Sequence, residues 1–299
     1  MASAASMTPS AAIEFLAQQR RRPERLSLQT VQAAETLLRA AQLETMGDEM
    51  WPFLEQVAIA ALDCGRRELA ELCTSRLNTR FPDSARVASL QGMLLEASQE
   101  YEKALAFYDA ELKKDEGNLI IVKRRIAVLK SMEGTTARGG GIQEAIKALT
   151  AYVDTYYADA EAWAELAALY SEVHMYPQAI FALEEQILLQ PQSGFAVLQL
   201  AETQYTAARY EEACTSYLRV LEMAHVEEGV RKTGPWMRAV WGLKMTTSKL
   251  LSSGVVRDAA TTQRLDALAT ELLSSRVYGG AGAPAHTRKA ALAVLSAAR

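Results

Sequence analysis

Apolar residues recur three and four positions apart through most of this 299-residue chain, the spacing that lines one face of a 3.6-residue helix. Leu28, Val31, Ala34, Leu38 and Ala41 form one such stripe over 27–45, with Ser27 placed as an N-cap. Val122, Ile126 and Leu129 form a second, Ala145, Leu149 and Tyr152 a third, and Val240, Leu243 and Leu250 a fourth that opens at Pro235. Leu265, Leu268 and Leu272 mark a further helix. Pro82 and Pro191 end helices, since proline lacks the amide proton and disfavours helical geometry in the residue before it. Only eight prolines and sixteen glycines occur, against abundant Ala, Leu, Glu, Gln and Arg. The chain reads as all-α.

The helices repeat. Three segments close on comparable turns, RFPDS at 80–84, KKDEGN at 113–118 and LLQPQS at 188–193. With Pro191 at position 32 of a 34-residue unit, Trp163 falls at position 4, Leu166 at 7, Ala167 at 8, Tyr170 at 11 and Ala179 at 20. These are the signature slots of the tetratricopeptide repeat. Residues 51–84 put Leu54, Val57, Ala58, Ala61, Ala70 and Pro82 in the same slots. Residues 85–118 put Gly92 at 8, Ala104 at 20 and Tyr108 at 24, and 194–227 continue with Leu200, Ala201, Ala213 and Tyr217. Small residues are needed at 8 and 20 because the two helices of a unit cross closely there, while large ones fill the flanks.

Residues 119–159 hold 41 residues, so seven extra ones fall around Glu133 to Gly141, including Gly139, Gly140 and Gly141. No Gly-Lys-Ser/Thr follows and no strand precedes, so the run reads as an inter-helix loop and not a phosphate cradle. The expected fold is an all-α, tetratricopeptide-repeat right-handed α-solenoid with helical caps at both ends, since a solenoid must cover its terminal apolar faces. The expected organisation is an N-terminal segment with capping helices (1–50), five repeats over 51–227 (51–84, 85–118, 119–159, 160–193 and 194–227), and C-terminal helices with a flexible tail (228–299). YGGAGAP at 278–284 reads as a loose linker before a short last helix.

Net charge is −4 and the pI near 5.6, so no basic field exists to drive nucleic-acid binding. Arg20, Arg21, Arg22 and Arg25 form a basic run broken by Pro23 and Glu24, which reads as a solvated helix end. Cys64, Cys73 and Cys214 sit in apolar slots with no CxxC pair, and read as reduced, buried thiols suited to the cytosol. Glu14 interrupts the only apolar stretch near the start, which does not fit a signal peptide. No run approaches the roughly 18 apolar residues of a membrane span, so any membrane association is expected to go through partners.

No catalytic or metal constellation is legible, and no cofactor is expected. His174, His225 and His286 are scattered, without HxxxH or HExxH pairs and without cysteines at zinc spacing. A GxSxG elbow is missing. Glu184 and Glu185 are adjacent, so they point about 100° apart on a helix and read as a solvated face. Positions 5 and 9 of successive repeats, which in carboxylate-clamp repeats carry lysine and asparagine, are here Glu55 and Ile59, Ser89 and Met93, Lys123 and Ala127. The clamp is absent, which argues against an adaptor for chaperone tails. One polar feature breaks the packing rule: 119–132 carries Lys123, Arg124, Arg125 and Lys130, with Arg125 in the apolar slot 7. Two readings stand side by side, an electropositive docking patch for an acidic partner segment and intramolecular pairing with glutamates of neighbouring repeats.

The run MGDEMWPFLEQVAIAALDCGRRELAELC at 46–73 resembles subunit 2 of the endoplasmic reticulum membrane protein complex, a membrane-protein insertase. The similarity continues through RFPDSARVASLQGM at 80–93, YEKALAFYDAEL at 101–112, KRRIAVLK at 123–130, EAWAELAALY at 161–170 and MRAVWGLKM at 237–245. It spans about residues 27–250 and lapses in 133–141 and after 251. The resemblance implies a non-catalytic scaffold without a membrane span of its own, peripheral on the cytoplasmic face of the endoplasmic reticulum. There it would support insertion of transmembrane proteins by binding cytosolic parts of the membrane-embedded subunits and a cytosolic sister subunit. The other expectation that the repeats allow is a soluble peptide-binding adaptor of a different cytosolic pathway.

Overall fold

The computed structural model describes residues 8–22, 24–40, 43–132, 141–224, 235–254, 258–278 and 285–297. Among them the secondary structure is helical throughout, with no strand. The chain divides into two compact units, Met1–Ala145 and Ile146–Arg299.

The first unit contains α1 (Pro9–Arg20), α2 (Ser27–Arg39), α3 (Met50–Asp63), α4 (Arg67–Arg80), α5 (Ala85–Ala97), α6 (Tyr101–Lys114) and α7 (Leu119–Ser131). Each packs on the next in sequence, and α3 on α5 and α5 on α7 as well. That alternation is how a repeat stack buries a continuous core. Ala58 and Ala70 are fully buried where α3 and α4 cross, and Gly92 and Ala104 take the same places in α5 and α6. A Cβ on Gly92 would overlap the ring of Tyr108, so only glycine lets that aromatic lie flat against α5.

The N-terminal helices begin earlier than the apolar pattern shows. Thr8 accepts from the Ala11 amide (3.4 Å) and Pro9 opens α1, a favoured helix start. Ala12 and Leu16 then bury against Ala33, Ala34 and Leu37 of α2 and Phe53 of α3. Ser27 is not the N-cap of α2. That place belongs to Leu26, because Asp63 at the end of α3 takes the Ser27 hydroxyl (2.6 Å) together with two bonds from Arg25 (2.7 Å each). Arg20 reaches Glu49 (2.6 Å), and Arg21, Arg22 and Arg25 keep the exposed character expected of the basic run, Arg25 while paired with Asp63.

The second unit holds most of α8 (Ile142–Thr155), then α9 (Ala160–Glu172), α10 (Tyr176–Leu189), α11 (Gly194–Thr206), α12 (Tyr210–Met223), α13 (Pro235–Ser253), α14 (Ala259–Glu271) and α15 (Ala285–Ala297). A short π-helical turn, Leu272–Val277, extends α14. Sequential packing recurs from α9 to α14, with α11 on α13 in addition. Ala167, Ala179, Ala201 and Ala213 are fully buried. Tyr217 lies over Gly242 of α13 as Tyr108 lies over Gly92.

One turn recurs in both units. Gly65, Gln99, His174 and Ala208 each adopt positive φ, at 68°, 58°, 61° and 60°. The residue after each donates its amide back to the preceding helix: Arg66 to Ala61 (2.8 Å), Glu100 to Leu95 (3.0 Å), Met175 to Tyr170 (2.8 Å) and Arg209 to Gln204 (2.9 Å). This left-handed helix end satisfies orphan carbonyls and reverses the chain in very few residues. Three of the four positions lack the glycine that this geometry prefers. A 34-residue step from Gln99 lands on Glu133, where the glycine-bearing insertion begins; residues 133–140 lie outside the described residues, as do His225 and the 279–284 part of the C-terminal linker.

Candidate partner-binding surface

The basic helix α7 is held by carboxylates of the helices before it. Arg124 donates through Nε and Nη2 to the two oxygens of Glu96 on α5 (3.1 and 2.5 Å). The same Glu96 accepts the phenol of Tyr108 from α6 (2.5 Å). Three helices thus converge on one half-buried carboxylate. Burial, and then the bond to Glu96, push the Tyr108 phenol well above its ordinary value. Arg125, in the slot expected to be apolar, leaves the core and donates to Asp109 of α6 (2.7 Å). Its charge is therefore met by an opposite one and stays partly hydrated, which removes the cost of an unpaired buried cation. Lys123 and Lys130 are exposed on the same helix, and neither is without a partner.

Position 5 of the first repeat is also held in an ion pair. Glu55 of α3, at position 5 of its repeat, receives both nitrogens of an Arg86 fork from α5 (2.9 and 2.8 Å). Beside this pair Trp51 meets Phe81 edge-on, ring centroids 5.4 Å apart, with the Arg80 guanidinium 6.0 and 5.6 Å from the two rings. Trp51, Glu55, Phe81 and Arg86 line a cavity of about 260 Å³ together with Leu77, Val87 and Leu90.

In the second unit, Lys244 of α13 is 1% exposed and donates to both oxygens of Asp266 on α14 (2.8 and 2.7 Å). Thr247 and Ser248 donate to the same carboxylate (2.8 and 3.2 Å). Arg238 forks onto Glu202 of α11 (3.0 and 2.6 Å). Neither pair was legible from spacing, because the partners stand 22 and 36 residues apart.

These ionic groups join neighbouring helices. Among the described residues no group of His, Cys, Asp and Glu could hold a metal ion. Cys73 and Cys214 are buried, and Cys64 is half-buried at the end of α3. Burial pushes the Cys73 thiol up to about 11, far from the thiolate a nucleophile needs.

Antiparallel helix pairs with small residues at each crossing, stacked in sequence order, define a tetratricopeptide-repeat protein. A solved structure of the C-terminal part of a TPR repeat-containing protein from Cytophaga hutchinsonii shares this fold, with a TM-score of 0.62 at 13% identity over 96% of this chain and 99% of that one. The model of the EMC2 TPR-like repeat domain matches residues 71–217. ER membrane protein complex subunit 2-B of Xenopus laevis is 37% identical over 229 residues, 77% of this chain and 72% of that protein. ER membrane protein complex subunit 2 of Xenopus tropicalis is 38% identical over 208 residues, 70% of this chain and 66% of that protein. The chain belongs to the family of ER membrane protein complex subunit 2. The matched stretch leaves roughly a third of these relatives' length uncovered.

Proposed function

We propose that this chain is a non-catalytic scaffold subunit of an endoplasmic reticulum membrane protein complex, peripheral on the cytoplasmic face of that membrane. In this role it binds cytosolic parts of membrane-embedded subunits and a cytosolic sister subunit, and so supports insertion of transmembrane proteins. The observation that carries the reading is the 37% identity to subunit 2-B across 72% of that protein. A repeat stack also suits the task, because adjacent helix pairs present extended surfaces without needing a reactive site. Among the described residues, no helix is long and apolar enough to cross a membrane. The five-repeat division over 51–227 belongs to this reading as the unit of partner binding. So does a division of labour on α7, in which Lys123 and Lys130 form a charged rim for an acidic partner segment while Arg124 and Arg125 hold the helices that present it.

Affinity purification of the tagged chain from detergent-solubilised cells, followed by mass spectrometry, tests the proposal. Integral membrane proteins at near-stoichiometric yield are expected. A preparation holding only soluble partners would point to the adaptor role instead and would overturn the proposal.

A further inference from the structure

The outer face of α10 combines exposed apolar side chains with unbalanced negative charge. Its inner face is complete without them: Ala179, Ile180, Leu183 and Ile187 are buried. Phe181 and Leu188 point the other way and are 56% and 74% exposed. Seven residues apart, they lie within about 20° of one another around the helix. Glu184 and Glu185 flank them, about 60° to one side and about 40° to the other. Among the described residues neither glutamate is in an ion pair with a basic side chain. The patch continues onto the turn before α9. Trp163 meets Phe181 edge-on at 6.2 Å and donates its indole N–H to the Tyr157 carbonyl (2.8 Å), and the Tyr157 side chain is 72% exposed.

The surrounding sequence sets the sign of what binds there. Between Lys147 and Arg209 there is no lysine or arginine, against eight aspartates and glutamates. Carboxylates beside the apolar stripe repel phosphate, which disfavours an anionic lipid surface or a nucleic acid. A second copy of the same face would set Glu184 and Glu185 against themselves. A segment with leucine-like anchors flanked by lysine or arginine satisfies both features at once.

We propose that the α10 face, formed by Phe181 and Leu188 between Glu184 and Glu185 and bordered by Tyr157, is a docking site for a basic amphipathic helical segment of a protein partner. Apolar anchors on that segment cover Phe181 and Leu188, and its cations pair with the two glutamates. The inference rests on the scaffold reading but fails separately from it, because it concerns one surface and one class of ligand.

The test uses the full chain and a fluorescent synthetic peptide of about 16 residues, built of leucine, alanine and lysine with leucines three and four apart. Saturable binding by anisotropy is expected, weakened about tenfold by Glu184→Lys with Glu185→Lys and lost with Phe181→Ser plus Leu188→Ser. The charge-reversed variant should in turn bind a peptide with glutamate in place of lysine. Phe181, Glu184 and Leu188 are exposed and Glu185 is half-buried, and thermal melting confirms that each variant is folded. No saturable binding to the wild type, or equal binding to folded variants of both kinds, overturns the inference. Retention of the membrane subunits by those same variants would leave the scaffold reading intact.

Discussion

Arg124 of α7 forks onto Glu96 of α5 at the point where Tyr108 of α6 donates its phenol to the same carboxylate. The basic helix therefore ties three elements together. Arg124→Ala leaves a half-buried carboxylate with one donor in place of three, and is expected to lower stability by about 1–3 kcal/mol. Arg124→Lys should recover only part of this, since an ammonium cannot reproduce the fork. Urea denaturation midpoints of the two variants and the wild type provide the check.

The Tyr108 and Tyr217 phenols are both held above their ordinary value by burial, aided by Glu96 in the first case and by the Glu202 charge in the second. A raised acid in the fold means that the native state prefers the protonated phenol. Their contribution is fully present below about pH 10, the unfolded value, and is lost as pH rises beyond it. Melting temperature followed from about pH 8 to about pH 11 should fall at the alkaline end, and the Tyr108→Phe plus Tyr217→Phe double variant should fall less steeply.

Gly92 admits the Tyr108 ring against α5, and any Cβ there overlaps it. Gly92→Ala is expected to cost about 1–3 kcal/mol by overpacking. Combining it with Tyr108→Leu should cost less than the two separate effects added together, because the clash is removed with the ring. A double-mutant cycle by calorimetry measures the coupling.

The recurrent turn makes a prediction of opposite sign. Gln99 and Ala208 hold positive φ while their side chains are exposed. Gln99→Gly and Ala208→Gly are each expected to raise stability by roughly 0.5–1 kcal/mol, and Gly65→Ala to lower it by about the same amount. Equilibrium unfolding of the three single variants checks the signs.

Much of the fold was legible because its rules are local. The 3.6-residue apolar period marks helices, and small residues every 34 mark where Ala58, Ala70, Ala167 and Ala179 cross their partners. What stayed hidden depends on distant groups. Arg125 looked anomalous in an apolar slot because Asp109, sixteen residues earlier, is visible as its partner only once α6 and α7 pack. Ser27 read as a helix cap because nothing local reveals that Asp63 takes its hydroxyl. Gln99 and Ala208 gave no turn signal because a left-handed residue without glycine has no local signature; Gln99 stands 34 residues after Gly65 and Ala208 34 after His174. Glu184 and Glu185 read as an ordinary solvated pair, since the exposure of Phe181 and Leu188 beside them is a property of packing.

The proposed role makes this chain a subunit held in a membrane assembly. Size fractionation of the untagged chain from detergent-solubilised membranes tests it most directly. The chain is expected to migrate in one high-mass peak with integral membrane proteins and to shift to low mass when those proteins are depleted. Migration as a free monomer from cells with the assembly intact would contradict it.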